Sequence, residues 1–165
     1  MSDLVIDEWL WSDLAGENSA DRQRESFEFL EAVFSKCDRI VIVKGSRFDE
    51  KAMEFWRHTD LTRRRIARFW KDRFWYNSDK AVLFDQAQLQ DLPAQVAKDV
   101  KTDDQYLVRA HLTVKQSVVV TTDNPLKDAL ERHGIHCKHR QDFVLGYIVQ
   151  YGGQQTPVHD EHRDR

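Results

Sequence analysis

Only two cysteines occur among the 165 residues, Cys37 and Cys137, and neither belongs to a Cys-x-x-Cys pair or a Cys/His finger. That excludes a disulfide scaffold and a zinc module, and it points to reduced, structural thiols in an intracellular protein. Basic charge is not in excess either. A net charge of −3 gives no global cationic field of the kind that coats nucleic acid, although a local site remains open. No apolar run is long enough to span a bilayer. The opening residues MSDLVIDEWLW lack both the basic and the apolar region of a secretory leader. Repeats and low-complexity linkers are missing as well. The expectation is a cytoplasmic protein with no membrane association.

What the chain does have is bulky core material. Hydrophobic residues make up 41% of it, with nine Phe, five Trp and four Tyr, enough for a single core. Four short apolar runs read as strands: Leu4 to Ile6, Ile40 to Val43, Ala81 to Phe84 and Val118 to Val120. Three of them are β-branched and show no alternation, as strands buried on both faces do in a parallel sheet. A fifth strand is expected near Ile135-His136-Cys137. Helical stripes separate the strands. Phe27, Leu30 and Phe34 mark one, Met53, Phe55 and Trp56 a second, and Leu107 to Val114 a third. The last runs from Pro125 to about His133, stopped by Gly134 in the C′ role. Alternating strands and helices predict an α/β protein, a three-layer α/β/α sandwich with a central, mostly parallel sheet. Residues 1–150 form one domain in this reading, and the polar, turn-rich stretch 151–165 is expected to be a disordered tail.

The acids fall at suggestive places. Ligands of open α/β sheets bind outside the carboxyl ends of the strands. Asp7 directly follows Leu4-Val5-Ile6, and Asp123 follows Val118-Val119-Val120 by two threonines. Thr102-Asp103-Asp104-Gln105 fits a capping box with Thr102 as N-cap and Gln105 at N3. Asp104, Leu107, Val108 and His111 then share one helix face, so the stripe that buries apolar side chains carries Asp104 at its tip, while Asp103 points to solvent. Glu50 and Glu54, four residues apart, offer a further acid, with Glu54 the better placed. Each acid has an ordinary explanation. Asn124-Pro125 starts a helix well with Asp123 beside it, and first-turn acids suit the helix dipole. Helix capping does not explain Asp7. A carboxylate cluster is what Mg²⁺ or Mn²⁺ needs near a phosphate.

Asp7 after a short strand, an acid in the second helical region, Asp104-Gln105-Tyr106-Leu107-Val108-Arg109-Ala110 and Thr121-Thr122-Asp123-Asn124-Pro125-Leu126 together resemble a PIN-domain nuclease. Gly134-Ile135-His136-Cys137 and Asp142-Phe143-Val144 fit the same pattern, which covers residues 3 to 147. The resemblance implies a PIN-like fold and a metal-dependent endoribonuclease acting on single-stranded RNA, often the toxin of a toxin–antitoxin pair. It implies Asp7, Glu54, Asp104 and Asp123 as catalytic acids, with Asp7, Asp104 and Asp123 holding Mg²⁺ or Mn²⁺. Thr121 would support the site through its hydroxyl, with Glu50 as the substitute for Glu54 and Asp103 as a supporting acid. An antitoxin and a second copy of the chain are the implied protein partners. The chain departs from many members in placing Pro125 where they carry an acid two positions after the last aspartate, which leaves fewer ligands for a second ion. Residues 57–100 are also longer and more basic than in compact toxins.

That middle region is a signal of its own. Arg57 to Lys80 holds eight Lys or Arg against three Asp, interleaved with five aromatic residues. Cationic surfaces with stacking aromatics suit single-stranded nucleic acid. Ile66, Phe69, Trp70 and Phe74 have core spacing, so the expected RNA contacts are Arg64, Arg65 and Arg68 on the other face. Two other functions compete. One is a degenerate PIN-like module that binds RNA or protein without cutting. The other is a phosphoacceptor receiver domain using Asp7-Glu8, Asp85, Thr121 or Thr122, and Lys138.

Overall fold

The computed structural model describes residues 1–152. Five strands, β1 (Asp3–Ile6), β2 (Arg39–Val43), β3 (Ala81–Phe84), β4 (Ser117–Thr121) and β5 (Cys137–His139), form one sheet in the order β3-β2-β1-β4-β5. All four pairings are parallel. Leu4 lies opposite Ile40 on one side and Val118 on the other, and Ile6 opposite Val120. The helices among the described residues are α1 (Trp9–Leu14), α2 (Ala20–Ser35), α3 (Arg47–Arg57), α4 (Leu61–Trp70), α5 (Ala94–Asp99), α6 (Gln105–Thr113), α7 (Asn124–Arg132) and α8 (Arg140–Gly152). The tail expected from 151 starts later, because Tyr151 and Gly152 belong to α8; residues 153–165 lie outside the described residues. No helix among the described residues is long and apolar enough to cross a membrane.

The unalternating strands are apolar because each face has its own core. Leu4, Ile6, Ile40, Ile42, Val118 and Val120 pack with residues of α1, α2, α3, α4 and α8. Val5, Val41, Val43 and Val119 pack with residues of α5, α6 and α7. A period-2 backbone sends neighbouring side chains to opposite faces, so two covered faces demand consecutive apolar residues. The result is a three-layer α/β/α sandwich with an all-parallel sheet.

Several local expectations need correction. Thr102-Asp103-Asp104 forms a 3₁₀ turn before α6, and neither it nor α6 has a side-chain cap. The capping box is therefore absent, and the Gln105 amide instead donates to the carbonyls of Ala97 and Val100, tying α6 to α5. The fifth strand begins two residues later than the apolar Ile135 suggests. α1, α5 and α8 carry no sequence stripe strong enough to read, two of them being only six residues long.

Gly134 does end α7 as expected. Its φ of +69° permits the N–H groups of Gly134 and Ile135 to bond the carbonyls of Glu131 and Leu130. A methyl group at Gly134 would meet nothing within 4 Å, so the cost of Gly134→Ala is conformational. Loss of about 1 kcal/mol of unfolding free energy is expected by urea titration.

Candidate active site

The strand order reverses between β1 and β4, because the chain winds outward from β1 to β2 and β3, then returns to place β4 on the other side of β1. A crevice must open at the carboxyl ends of those two strands, where the connections leave in opposite directions. Asp7 and Asp123 stand there.

Asp7 is 7% exposed, and both its oxygens are engaged. The Glu8 N–H donates to Oδ1 at 2.7 Å, and the Thr121 hydroxyl donates to Oδ2 at 2.7 Å. Thr121, fully buried at the end of β4, also accepts the Asp123 N–H at 3.1 Å. One hydroxyl thus links the two strand ends. Asp123 is the N-cap of α7, with Oδ1 accepting the Leu126 N–H at 3.0 Å and Pro125 at the start of the helix. Its second oxygen carries no cap bond. Asp104 closes the 3₁₀ turn and enters α6 without capping it.

These acids surround an open cleft of about 500 Å³ that also presents Glu8, Arg47, Lys101 and Thr122. Burial, then the charges of Asp7 and Asp123, push the Asp104 carboxyl above its ordinary range, against the pull of Arg47 and Lys101. Glu8 is raised to about 7, first by burial and next by Asp7, with Asp104 adding to it and Arg47 opposing. Like charges this close oppose one another's ionisation. The Tyr106 hydroxyl is held above the normal phenol range by burial and then by Asp7 and Glu8. Arg47, at the start of α3, crosses the cleft with ion pairs to Glu8 at 2.8 Å and Asp103 at 3.0 Å. No protein-family model and no curated protein matches the chain. The reading of this site therefore stands on its geometry.

Of the predicted residues, Asp7, Asp104, Asp123 and Asp103 line the cleft, and Thr121 bonds two of them. Asp103 is exposed, as expected, but its partner is Arg47 rather than water alone. Glu54 is not brought into the cleft. It lines a separate small hollow with Phe55, His58 and Arg63, and Glu50 is exposed on α3. The helical stripe places Glu54 past the cleft because α3 starts there with Arg47 and runs away from it. A fifth acid lines the cleft, Glu8, adjacent in sequence to Asp7. The signal was present in Asp7-Glu8, a second carboxylate at a strand end. Arg64, Arg65 and Arg68 are exposed on α4 and line another hollow of about 320 Å³.

The receiver arrangement fails on topology. Such domains have the order 2-1-3-4-5, which sets the third strand beside the first. Here β2 separates β3 from β1, and Asp85 sits at the sheet edge, 3.9 Å from Lys44.

Proposed function

We propose that the chain is a PIN-like, metal-dependent endoribonuclease that hydrolyses phosphodiester bonds of single-stranded RNA. The observation that carries this reading is the convergence of Asp7, Asp104 and Asp123, from three separate elements, on one cleft at the switch point of a parallel sheet. Mutual repulsion among them is a cost that a cation would relieve.

Among the described residues no three His, Cys, Asp or Glu side chains are drawn together into a ready-made metal cage. The donor set still suits a hydrated Mg²⁺ or Mn²⁺, which keeps several waters and takes one or two carboxylates. Every candidate ligand is a carboxylate oxygen, with neither sulfur nor imidazole among them. Asp7, Asp104 and Asp123 would hold the ion, which when bound lowers the pKa of water and neutralises phosphoryl charge. Thr121 and the Glu8 N–H fix the rotamer of Asp7, and the α7 cap fixes Asp123. Lys101 and Arg47 supply positive charge for the nonbridging phosphate oxygens. The proposal extends to cytoplasmic action, to pairing with an antitoxin that covers the acidic cleft, and to a homodimer.

The deciding experiment incubates a mixed single-stranded RNA with the protein in Mn²⁺, in Mg²⁺ and in EDTA. Cleavage is expected with either ion and none with EDTA, and at least a 100-fold slower rate in Asp7→Asn and Asp104→Asn. A folded wild type that leaves RNA intact in both ions would sink the proposal. Thr121→Val should weaken Mn²⁺ binding about 10- to 100-fold by calorimetric titration, as loss of a supporting hydrogen bond does elsewhere. Unchanged affinity would remove Thr121 from the site.

A second reading has its own support. The ion pairs of Arg47 with Glu8 and Asp103 neutralise part of the cleft without any metal. A PIN-like module that binds RNA or protein without cutting would show RNA binding insensitive to Mn²⁺.

A further inference from the structure

α4 has two faces of opposite character. Ile66, Ala67 and Trp70 are buried in the core. Leu61, Arg64, Arg65 and Arg68, at positions 0, +3, +4 and +7, form the opposite stripe, and all four are exposed. With Trp56 from the end of α3 they enclose the hollow of about 320 Å³. Trp56 is 43% exposed, whereas Trp9, Trp11 and Trp70 are buried. The Lys71 ammonium sits 3.7 Å from the centroid of its ring.

Arg24, Arg39, Arg47, Arg109 and Arg140 each have a carboxylate partner. Arg64, Arg65 and Arg68, like Arg22, Arg57, Arg63, Arg73 and Arg132, form no ion pair among the described residues, but they alone line one hollow together. The flanking acids are Asp60, which accepts the N–H groups of Thr62 and Arg63 as the N-cap of α4, and Asp72, four residues after Arg68; neither forms an ion pair with these arginines. Like charges at helical spacing repel, so this stripe destabilises its own helix until an anion neutralises it.

We propose that this surface is a nucleotide subsite, in which a base of single-stranded RNA stacks on Trp56 while neighbouring phosphates pair with Arg64, Arg65 and Arg68. The proposal rests on the ribonuclease reading and extends it to where the strand lies outside the cleft. Guanidiniums match phosphate oxygens in bidentate pairs, and an aromatic face accepts any base. A route to the cleft exists. Lys51 lines both the acidic cleft and the hollow of His58 and Arg63, and Arg63 adjoins Arg64. From Arg47 at the cleft to Trp56 is nine residues of α3, or ~14 Å of helix axis. A stacked strand covers that length in about four nucleotides.

The test titrates wild-type protein with a twelve-uridine RNA in EDTA, so that binding is read without cleavage. Tryptophan fluorescence should be quenched on binding, and Trp56→Leu should abolish the quenching and weaken affinity about 10-fold. Arg64→Ala/Arg65→Ala/Arg68→Ala should weaken it about 30-fold and lower the slope of log affinity against log salt by about 2, at ~0.7 per phosphate contact. Circular dichroism and thermal midpoints establish that these surface variants are folded. Unchanged binding by the triple variant, or no binding by wild type, overturns the subsite. Equal affinity for polyglutamate of matched charge also overturns it, and assigns the surface to an acidic protein partner. Quenching by RNA without metal-dependent cleavage leaves the subsite standing and removes the nuclease reading; cleavage with an unaltered triple variant does the reverse.

Discussion

Arg140→Met is expected to remove about 3–5 kcal/mol of unfolding free energy. The guanidinium is fully buried and ties three helices together at the start of α8. Its Nε donates to Asp13 of α1 at 3.0 Å, Nη1 to Glu25 of α2 at 2.9 Å, and Nη2 to Ser26 of α2 at 3.2 Å. Asp13 is buried just as completely and also accepts from Ser26 and Asn18. Truncating one partner of such a pair leaves the other charge dry and unpaired, which costs far more than an exposed pair contributes. Typical domains have only 5–15 kcal/mol in total, so the variant should be near its unfolding threshold at 37 °C. Arg140→Met with Asp13→Leu should be more stable than Arg140→Met alone, because the orphaned carboxylate is then gone. Urea midpoints for the two variants and wild type measure the difference. Equal midpoints for Arg140→Met and wild type would show that the pair is solvated. The network adjoins the cleft: the Arg140 guanidinium lies 5.4 Å from the centroid of the Trp9 ring, and Trp9 donates its indole N–H to the Val120 carbonyl.

The second large effect concerns pH. Glu8 titrates at about 7 in the folded chain against 4.5 in an exposed one. The folded state therefore binds more protons than the unfolded state between those values, and linkage makes stability fall as pH rises through that window. Glu8 alone accounts for a loss of about 3 kcal/mol from pH 4.5 to 7, at ~1.4 kcal/mol per unit. Below 4.5 both states are protonated, and above 7 both are ionised, so its contribution to the slope vanishes there. Glu8→Gln should flatten the slope in that window and raise the unfolding free energy at pH 8 by about 2–3 kcal/mol, after loss of the ion pair to Arg47. Guanidinium titrations in EDTA at pH 5 and pH 8 read both effects. A wild-type stability that climbs from pH 5 to pH 8 as steeply as that of Glu8→Gln would refute the assignment.

Much of this architecture was legible in one dimension. Val118-Val119-Val120 and Ile40-Val41-Ile42-Val43 read as strands covered on both faces, because unalternating β-branched residues need apolar partners on each side. Asp123 was legible as both cap and candidate ligand, and one of its oxygens does cap α7 while the other does not. Asp7 was legible because nothing local explained it. The signals that misled were local ones. Thr102 to Gln105 matches a capping box letter for letter, yet the packing of α6 against α5 draws Gln105 away. Glu54 occupies a reasonable helical position, but the direction of α3 carries it out of the cleft.

The sequence by itself determined the layered α/β class, the strand positions and the acids at their carboxyl ends, because periodicity, burial and helix-start chemistry act over a few residues. Tertiary structure alone decided which acids meet. The order β3-β2-β1-β4-β5 sets Thr121 against Asp7 across 114 residues and leaves Asp85 at the edge. It also selected Glu8 over Glu54 and left Arg64, Arg65 and Arg68 unpaired around Trp56. Those outcomes depend on strand order and helix direction, which long-range burial fixes and no short window of residues encodes.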